Sequence, residues 1–392
     1  MSYRTAIVGV GATSFGKFLD RSIRDLSEEA VRNALANAGV SAADVDRVYF
    51  GNAAGGLMTG QEMIRGQAAL RFSGLAGTPL VNVENACATG SSAFHLAWEA
   101  IEAGQIDVAV VVGAEKLSHK DKSVSLSAFA GALDLEEELP SHIGTGSGAV
   151  TMDVYAEKTC LYMTMSGATQ EDFAQVVVKS RKAGSLNPIA QFKTETSVAE
   201  VLAQRTISGP LKLPMCSAMS DGAAALVLCS SRQVSLMGHS SPVWVAGSVL
   251  VSGFADPSKS ICAVRASKEV YDRAGIGPQD IQVIELHDAA APAELIHYEN
   301  LGLCAPGGGP DLLRSGITGI NGRISVNPSG GLLSRGHPLA ATGVAQMIEL
   351  VHQLRGTAGA RQREAAKVGL AENNGGQIGG DAAAAGAVVL CR

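Results

Sequence analysis

The chain has 392 residues, of which 46% are hydrophobic, 17% charged and 4% aromatic, and 46 are glycines. This composition is typical of a compact folded protein with room for two or three domains, and it excludes a disordered or coiled-coil chain. The formal net charge of -6, without a Lys/Arg-rich stripe, argues against nucleic acid as a partner. Apolar runs such as 108–112 and 382–390 are too short to cross a bilayer, so we expect no membrane span.

The N-terminus and the cysteines indicate the compartment. The chain begins with a short strand pattern and lacks the apolar region and cleavage site of a secretory signal. The seven cysteines include no Cys-x-x-Cys pair and no Cys/His cluster at metal-ligand spacing. We therefore expect reduced thiols, a cytoplasmic protein and no intrinsic metal site. Gly9 and Gly11 do not predict a nicotinamide site, because Ser14 stands where a dinucleotide fingerprint has its third glycine.

An internal repeat organises the chain. Residues 3–10 predict a first strand, 23–38 a helix that ends at a glycine, and 44–50 a second strand region. The pattern AGVxxxDVxxV of residues 38–48 recurs as AGIxxxDIxxI in residues 274–284. This recurrence predicts a duplicated α/β fold, with alternating strands and helices and mostly parallel sheets.

One cysteine in the first half follows a predicted strand. Residues 80–83 predict a short buried strand, and apolar positions from Ala93 onward predict a helix that ends near Gly104. Cys87 lies in the turn between them, where the N-terminus of a helix favours the thiolate. We expect Cys87 to be a nucleophile whose own N–H can donate to an oxyanion, although a buried structural cysteine is the alternative.

A histidine and an aspartate end a strand in the second half. Residues 283–288 predict a buried strand that ends in His287 and Asp288, at the sheet edge where α/β proteins bind ligands. The alternative for His287 is a core histidine that bonds to a backbone carbonyl.

A second histidine follows a glycine-rich loop. Residues 328–343, PSGGLLSRGHPLAATG, place His337 after Gly336, where glycine permits close backbone approach. By the internal repeat, this loop is the expected mate of the Cys87 loop.

The C-terminal residues 369–385 predict a flexible glycine-rich turn with one carboxylate, Glu372, at its mouth. Together, the cysteine, the two histidines and the glycine loops make a nucleophile, a base and oxyanion donors possible in one pocket. We interpret the other six histidines as structural or solvent-facing: His95, His119, His142, His239, His297 and His352.

The repeat does not explain residues 117–215, which predict helices over 152–165 and 170–183. Basic side chains in this segment, including Lys179, could meet the phosphates of a large anionic substrate. A solvated helix face is the interpretation we favour for them.

The stretches ENACATGSSA and NPSGG…GHPLAATG, the His-Asp loop and the C-terminal glycine loop together resemble the thiolase superfamily over essentially the whole chain. The similarity is greatest to the sterol carrier protein-type (lipid-transfer-type) thiolases, which have His-Asp where ordinary thiolases have Asn-Glu. This resemblance implies a five-layered αβαβα fold and at least a homodimer. It also implies an N-terminal half of residues 1–116 and 216–235, an inserted loop domain of residues 117–215 on the coenzyme A side, and a C-terminal half of residues 236–392.

The resemblance also implies roles for individual residues. Cys87 would be acylated, His337 would take its proton, and His287 with His337 would hold the thioester oxygen. A second oxyanion hole would use the N–H of Cys87 and one near Gly375, while Gly336 and Asp288 shape the substrate loops. Coenzyme A would be a substrate, with no permanently bound cofactor.

Two departures from the family pattern concern the second acid/base. Ala289 stands where sterol carrier protein-type thiolases have a cysteine, and the cysteine that opens the C-terminal loop in ordinary thiolases is replaced by Glu372 or its neighbour. Because a proton must still move at the substrate α-carbon, Glu372 is our candidate for that role.

We therefore expect a thiolase that cleaves a 3-oxoacyl-CoA whose acyl chain is unusual, being aromatic, branched or dicarboxylic. One alternative is a retro-aldolase or C-acyltransferase of the same fold that works with a small zinc-finger, OB-fold partner. A non-catalytic acyl-CoA-binding subunit is the other.

Overall fold

The computed structural model describes residues 4–138, 140–141, 143–144, 150–254, 256 and 258–392. His142, which the sequence interpretation took as structural or solvent-facing, lies outside the described residues. Among the described residues, no helix has the length and apolarity that a bilayer crossing requires.

The first half contains, in chain order, β1 (Thr5–Ala12), α1 (Ile23–Ala38), β2 (Arg47–Gly51), α2 (Gly55–Thr59), α3 (Arg65–Ala69), β3 (Leu80–Val83), α4 (Thr89–Glu102) and β4 (Val108–Glu115). A long excursion follows, with α5 (Lys122–Ala130), α6 (Val150–Ser166), α7 (Gln170–Ser185), α8 (Val198–Leu202), β5 (Thr206–Ser208) and β6 (Leu211–Lys212). The chain then returns through β7 (Gly222–Ser230) and α9 (Ser231–Met237).

The second half contains β8 (Val243–Ser252), α10 (Cys262–Ala274), β9 (Val283–Glu285), α11 (Ala291–Asn300), α12 (Gly309–Arg314), β10 (Ser325–Val326), α13 (Gly331–Ser334), α14 (Leu339–Arg355), β11 (Val368–Gly375) and β12 (Ala384–Cys391). Single 3₁₀ turns precede β2 and β9, at Ala42–Asp44 and Pro278–Asp280.

The two halves have the same strand order. The first half is ordered β3-β2-β4-β7-β1 and the second β10-β9-β11-β12-β8, and antiparallel pairing of β1 with β8 joins them. The predicted duplication is therefore confirmed. Each half is a mixed sheet in which four of the five strands run in one direction, in line with the prediction of mostly parallel sheets, while β7 or β12 runs antiparallel to both of its neighbours.

Three layers of helices enclose the two halves of the sheet. The outer helix α1 packs on β1 and β7, and α10 takes the equivalent place on β8 and β12. The central helices α4 and α14 pack on each other and share one apolar core with strands of both halves. α14 is buried on nearly all sides, as its largely apolar sequence requires. This arrangement is the expected αβαβα order.

Two glycines bring α14 close to the first half. A Cβ at Gly90 of α4 would lie 2.4 Å from the carbonyl oxygen of Ala340, and one at Gly113 of β4 would lie 2.1 Å from the same oxygen. Both positions therefore need glycine at this helix spacing. The close approach brings together the N-terminal ends of α4 and α14, which follow Cys87 and His337.

Two local predictions need correction. β3 forms as predicted but is not buried, because it is the last strand on its side of the sheet and exposes Val81 and Asn82. Lys179 does not belong to a solvated face. Its ammonium group lies 2.5 Å from the Glu294 carboxylate and donates to the carbonyl of Val326 at 3.1 Å.

Candidate active site

Cys87 sits in a strained turn between β3 and α4. The preceding residue, Ala86, has a φ of 48°, in the left-handed region that side chains other than glycine rarely adopt. The carboxylate of Glu84 accepts from the N–H of Ala86 at 2.7 Å, and the Thr89 hydroxyl donates to the carbonyl of Ala86 at 2.6 Å. These contacts hold the turn, so the position of the Cys87 side chain is fixed by its backbone.

Three predicted site residues converge. The Sγ atom of Cys87 and one ring nitrogen each of His287 and His337 all lie within 4.8 Å of one another. The two rings meet edge to face, with centroids 5.3 Å apart. Zn²⁺ accepts such a donor set, but a metal there would occupy the thiol and both imidazoles. Without a metal, the cluster has the parts of nucleophilic catalysis.

His337 is oriented by the first turn of its helix. Its Nδ1 atom lies 2.7 Å from the Thr342 hydroxyl, which donates to the carbonyl of Pro338 at 3.0 Å. The hydroxyl has one proton, so it accepts from Nδ1–H and leaves a lone pair on Nε2. Behind the ring, the His337 N–H donates to Ser220 Oγ at 3.0 Å, and a Cβ at Gly336, where φ is 112°, would lie 2.7 Å from that oxygen.

The thiol of Cys87 is not poised as a thiolate. Burial, reinforced by the nearby Glu115 carboxylate, raises the pKa of Cys87 to about 12. The backbone N–H groups of Gly376 and of Cys87 itself donate to the sulfur and oppose this effect. The sequence-based expectation of a thiolate is therefore wrong, because desolvation outweighs the amide donors. A base must take the proton as the sulfur attacks.

Both histidines are held neutral. Burial, and then the Arg335 guanidinium, lowers the pKa of His337 to about 3. Burial also lowers the pKa of His287 well below its usual value, with further contributions from His337 and His297. The free site therefore holds a thiol and two uncharged imidazoles at neutral pH.

The end of β11 touches the turn that bears Cys87. A Cβ at Gly375 would lie 2.2 Å from the carbonyl oxygen of Asn85 and 2.5 Å from the nitrogen of Ala88. The next residue, Gly376, supplies the amide that donates to the sulfur of Cys87. The amide predicted near Gly375 is thus that of its neighbour.

Glu372 is not at the mouth of a loop. It lies inside β11, paired with Ala387 and fully buried. Its Oε2 atom accepts from the N–H of His287 at 3.1 Å and lies 3.8 Å from Nδ1 of His297. These contacts put the carboxylate behind His287, where it holds the backbone of that residue.

Asp288 is also fully buried and supports the glycine-rich loop. Its carboxylate accepts from the N–H of Leu332 at 2.8 Å, and a Cβ at Gly331 would lie 2.3 Å from one of its oxygens. Burial, and then the Glu294 charge, raises the pKa of Asp288 well above its usual value. Its contacts are those of a residue that shapes the loop before His337.

Sequence reasoning missed several residues that support the site. Thr342 and Asn373 bond to Nδ1 of His337 and His287, and both lie in stretches that were quoted for other residues. His297, interpreted as structural or solvent-facing, is buried beside Glu372. Strand alternation was the available signal for Asn373, since it turns residue 373 away from the face of residue 372.

The profile of the family described as "Thiolase, N-terminal domain" matches residues 5–207, and "Thiolase C-terminal domain-like" matches residues 249–389. The chain belongs to the thiolase family.

The thiolase is 38% identical over 361 residues to the benzoylsuccinyl-CoA thiolase subunit BbsB of Thauera aromatica. The alignment covers 89% of this chain and 88% of that relative. The thiolase is 38% identical over 384 residues to the acetyl-CoA acetyltransferase of Methanothermobacter thermautotrophicus, covering 96% and 97%. Human sterol carrier protein 2 is 36% identical over 391 residues, covering 96% of this chain and 70% of that protein.

Two solved structures resemble the thiolase over 99% of its length. One is the Ltp2-ChsH2(DUF35) aldolase, with a TM-score of 0.80, 27% identity and 97% of that chain covered. The other is human mitochondrial 3-ketoacyl-CoA thiolase, with a TM-score of 0.76, 20% identity and 98% of that chain covered, which shows the shared fold. The family match and the relatives named as a thiolase and an acetyltransferase show that the protein is an enzyme of the acyl-CoA acyltransferase class.

Proposed function

We propose that this enzyme cleaves a 3-oxoacyl-CoA with free coenzyme A through an acyl group carried on Sγ of Cys87. The observation that carries the proposal is the convergence of Cys87, His287 and His337 within 4.8 Å. The residues offer a nucleophile, a lone pair to accept its proton and a second imidazole beside them.

One base, His337, can carry every proton that the reaction moves. Nε2 of His337 takes the thiol proton as Sγ of Cys87 attacks the 3-oxo carbon, and the amides of Cys87 and Gly376 receive the new oxyanion. The C2–C3 bond breaks, and its electron pair passes to the thioester enolate, whose oxygen His287 stabilises. The imidazolium of His337 protonates C2 and acetyl-CoA leaves. Coenzyme A then gives its thiol proton to His337 and attacks the acyl carbon, and the Cys87 thiolate leaves and regains a proton from His337.

The role of Glu372 as second acid/base stays a prediction. Its carboxylate accepts from the backbone of His287, which supports a positioning role for Glu372 instead. Substitution separates the two roles, because glutamine keeps an oxygen acceptor but cannot exchange a proton.

We propose a large acyl chain with an aromatic or dicarboxylic part, with branched chains as a further possibility. Support comes from the relative whose name contains benzoylsuccinyl-CoA, 38% identical over most of both chains. We further propose that residues 117–215 form the coenzyme A side of the site. Tyr155 of α6, in that segment, is half-buried, and burial followed by the Cys87 charge raises the pKa of its phenol.

We propose that the exposed edge of β3 pairs with a second copy of the chain. Its repeat mate, β10, is buried and its Val326 carbonyl accepts from Lys179, whereas β3 leaves Val81 and Asn82 exposed. An exposed edge strand is a template for pairing with another chain. Val81→Asp should therefore lower the mass seen by light scattering from dimer to monomer, and an unchanged mass would contradict the pairing.

Retro-aldol cleavage is the second candidate, favoured by the similarity to the Ltp2-ChsH2(DUF35) aldolase. Because the name of that aldolase joins Ltp2 with ChsH2(DUF35), and one relative is named as a subunit, we propose a small zinc-finger, OB-fold partner for either activity. The retained thiol favours thiolysis, because retro-aldol cleavage needs no covalent thioester.

The deciding experiment compares wild type with Cys87→Ala, each alone and with the partner, on 3-oxoacyl-CoA plus coenzyme A and on a 3-hydroxyacyl-CoA. Thiolysis that disappears in the variant supports the proposal. Cleavage of the 3-hydroxy compound that survives in the variant supports the aldolase. If neither compound is cleaved although acyl-CoA binds, the non-catalytic subunit is the remaining interpretation.

A further inference from the structure

We propose that Asn373 is a positioning residue that sets the tautomer of His287, so that Nε2 of this ring carries the proton that meets the substrate oxygen. The inference rests on the proposed function, in which His287 donates to a thioester enolate. Asn373 lies outside the motifs that identify the nucleophile and the two histidines.

With the Asn373 amide in the orientation that the structure gives it, the contact between the two residues has one hydrogen-bonding solution. Nδ2 of Asn373 lies 2.9 Å from Nδ1 of His287, and both side chains are buried. An amide nitrogen can only donate, so Nδ1 accepts. Since burial keeps the ring uncharged, its single proton must be on Nε2.

The Ser91 hydroxyl supports this orientation of the Asn373 amide from the other side. Its Oδ1 atom lies 3.2 Å from the hydroxyl of Ser91, which donates to it. Ser91 fits there because two glycines flank it: a Cβ at Gly343 would lie 2.3 Å from its Oγ, and one at Gly386 would lie 2.7 Å from its Cβ. Gly386 is the residue paired with Asn373 across β11 and β12. The helix that follows Cys87 is thereby linked to His287.

The two histidines receive opposite tautomers. The Thr342 hydroxyl accepts from Nδ1–H of His337, which leaves Nε2 as a base. The Asn373 amide donates to Nδ1 of His287, which leaves Nε2–H as a donor. Because each Nδ1 is engaged behind its ring, Nε2 is the nitrogen left for the substrate. Thr342 and Asn373 thus make one ring the base and the other the oxyanion donor.

Asn373→Asp tests the assignment, because a carboxylate can only accept and so favours the proton on Nδ1. Asn374→Asp is the matched control, one residue along β11, where the side chain contacts His297 at 3.3 Å instead. Nitrogen-15 spectra of histidine-labelled protein, with His287→Gln for assignment, report the tautomer directly. Wild type and Asn374→Asp should show Nε2–H at His287, and Asn373→Asp should show Nδ1–H or the imidazolium.

Kinetics add a readout that a structural role would not move. We expect Asn373→Asp to lower kcat for thiolysis by roughly 10²-fold at pH 8, in the range of a lost oxyanion donor. Part of this loss should be recovered at lower pH, since the new carboxylate favours the imidazolium, which donates again from Nε2. The rate at which iodoacetamide alkylates Cys87 should stay within about threefold of the wild-type rate, because the base, His337, is unchanged.

The inference is overturned if wild-type His287 carries its proton on Nδ1, or if Asn373→Asp retains kcat within threefold of wild type. If Asn373→Asp does not fold, Asn373→Ala and the wild-type spectrum still decide the tautomer. Should wild type cleave no 3-oxoacyl-CoA, the proposed function fails, while the spectra continue to test the tautomer alone.

Discussion

Gly375→Ala should move the Gly376 amide away from the Cys87 nucleophile. The new Cβ would lie 2.2 Å from the carbonyl oxygen of Asn85, 2.5 Å from the nitrogen of Ala88 and 2.8 Å from its Cβ. These atoms belong to the backbone and a methyl group of the turn that bears Cys87, so no flexible side chain can move aside. Relief of such contacts requires a shift of about 1 Å between β11 and the turn, which on its own can reduce turnover roughly 10²-fold.

That shift displaces the Gly376 N–H from the sulfur. We expect kcat for thiolysis to fall by roughly 10²- to 10³-fold, the cost of one lost oxyanion donor, or about 3–4 kcal/mol. Overpacking should also destabilise the fold by about 1–3 kcal/mol, measurable by urea denaturation. Gly369→Ala is the control on the same strand, since its Cβ would meet only the side chain of Leu350, at 3.0 Å. A folded Gly375→Ala enzyme with kcat within threefold of wild type would refute this reasoning.

Two further predictions concern the ionisable groups. Glu372→Gln should retain kcat within about tenfold of wild type, because its amide oxygen still accepts from the N–H of His287. Glu372→Ala, which has no acceptor, should lose more. A loss of 10³-fold or more in the glutamine variant would instead support acid/base chemistry by Glu372. Since the pKa of His337 is lowered to about 3, this base stays unprotonated as the pH falls from 7.5 to 5.5. The rate of acylation by saturating substrate, measured by stopped flow, should therefore change less than threefold over that range. A histidine of ordinary pKa would be about 90% protonated at pH 5.5, so a tenfold loss there would contradict the lowered pKa.

The sequence predicted the parts of the site better than their electrostatics. The repeat of residues 38–48 predicted the duplication because loop lengths and apolar positions are local signals. Cys87, His287 and His337 could be selected because each follows a strand or a glycine-rich loop at one sheet edge. Thiolate formation at Cys87 could not be judged, since its pKa depends on how much protein surrounds the sulfur and on Glu115, which is distant in the chain.

Other features depended on tertiary contacts. The glycines that follow Glu372 predict a loop, yet pairing with β12 extends β11 as far as Gly375. The bond between Asn373 and His287 joins residues 86 positions apart, so strand alternation indicates the face of β11 on which Asn373 lies but not its partner. Likewise, Lys179 resembles a surface lysine in sequence, and only the fold brings it to Glu294.

Intact-protein mass spectrometry after brief exposure to a panel of acyl- and 3-oxoacyl-CoA thioesters, with and without the partner, tests the central claim most directly. Our account predicts an acyl mass adduct on wild type that is absent from Cys87→Ala and is discharged by added coenzyme A. The acyl group that accumulates would also identify the substrate class. No adduct from any thioester, or an adduct that persists in Cys87→Ala, would contradict covalent catalysis by Cys87.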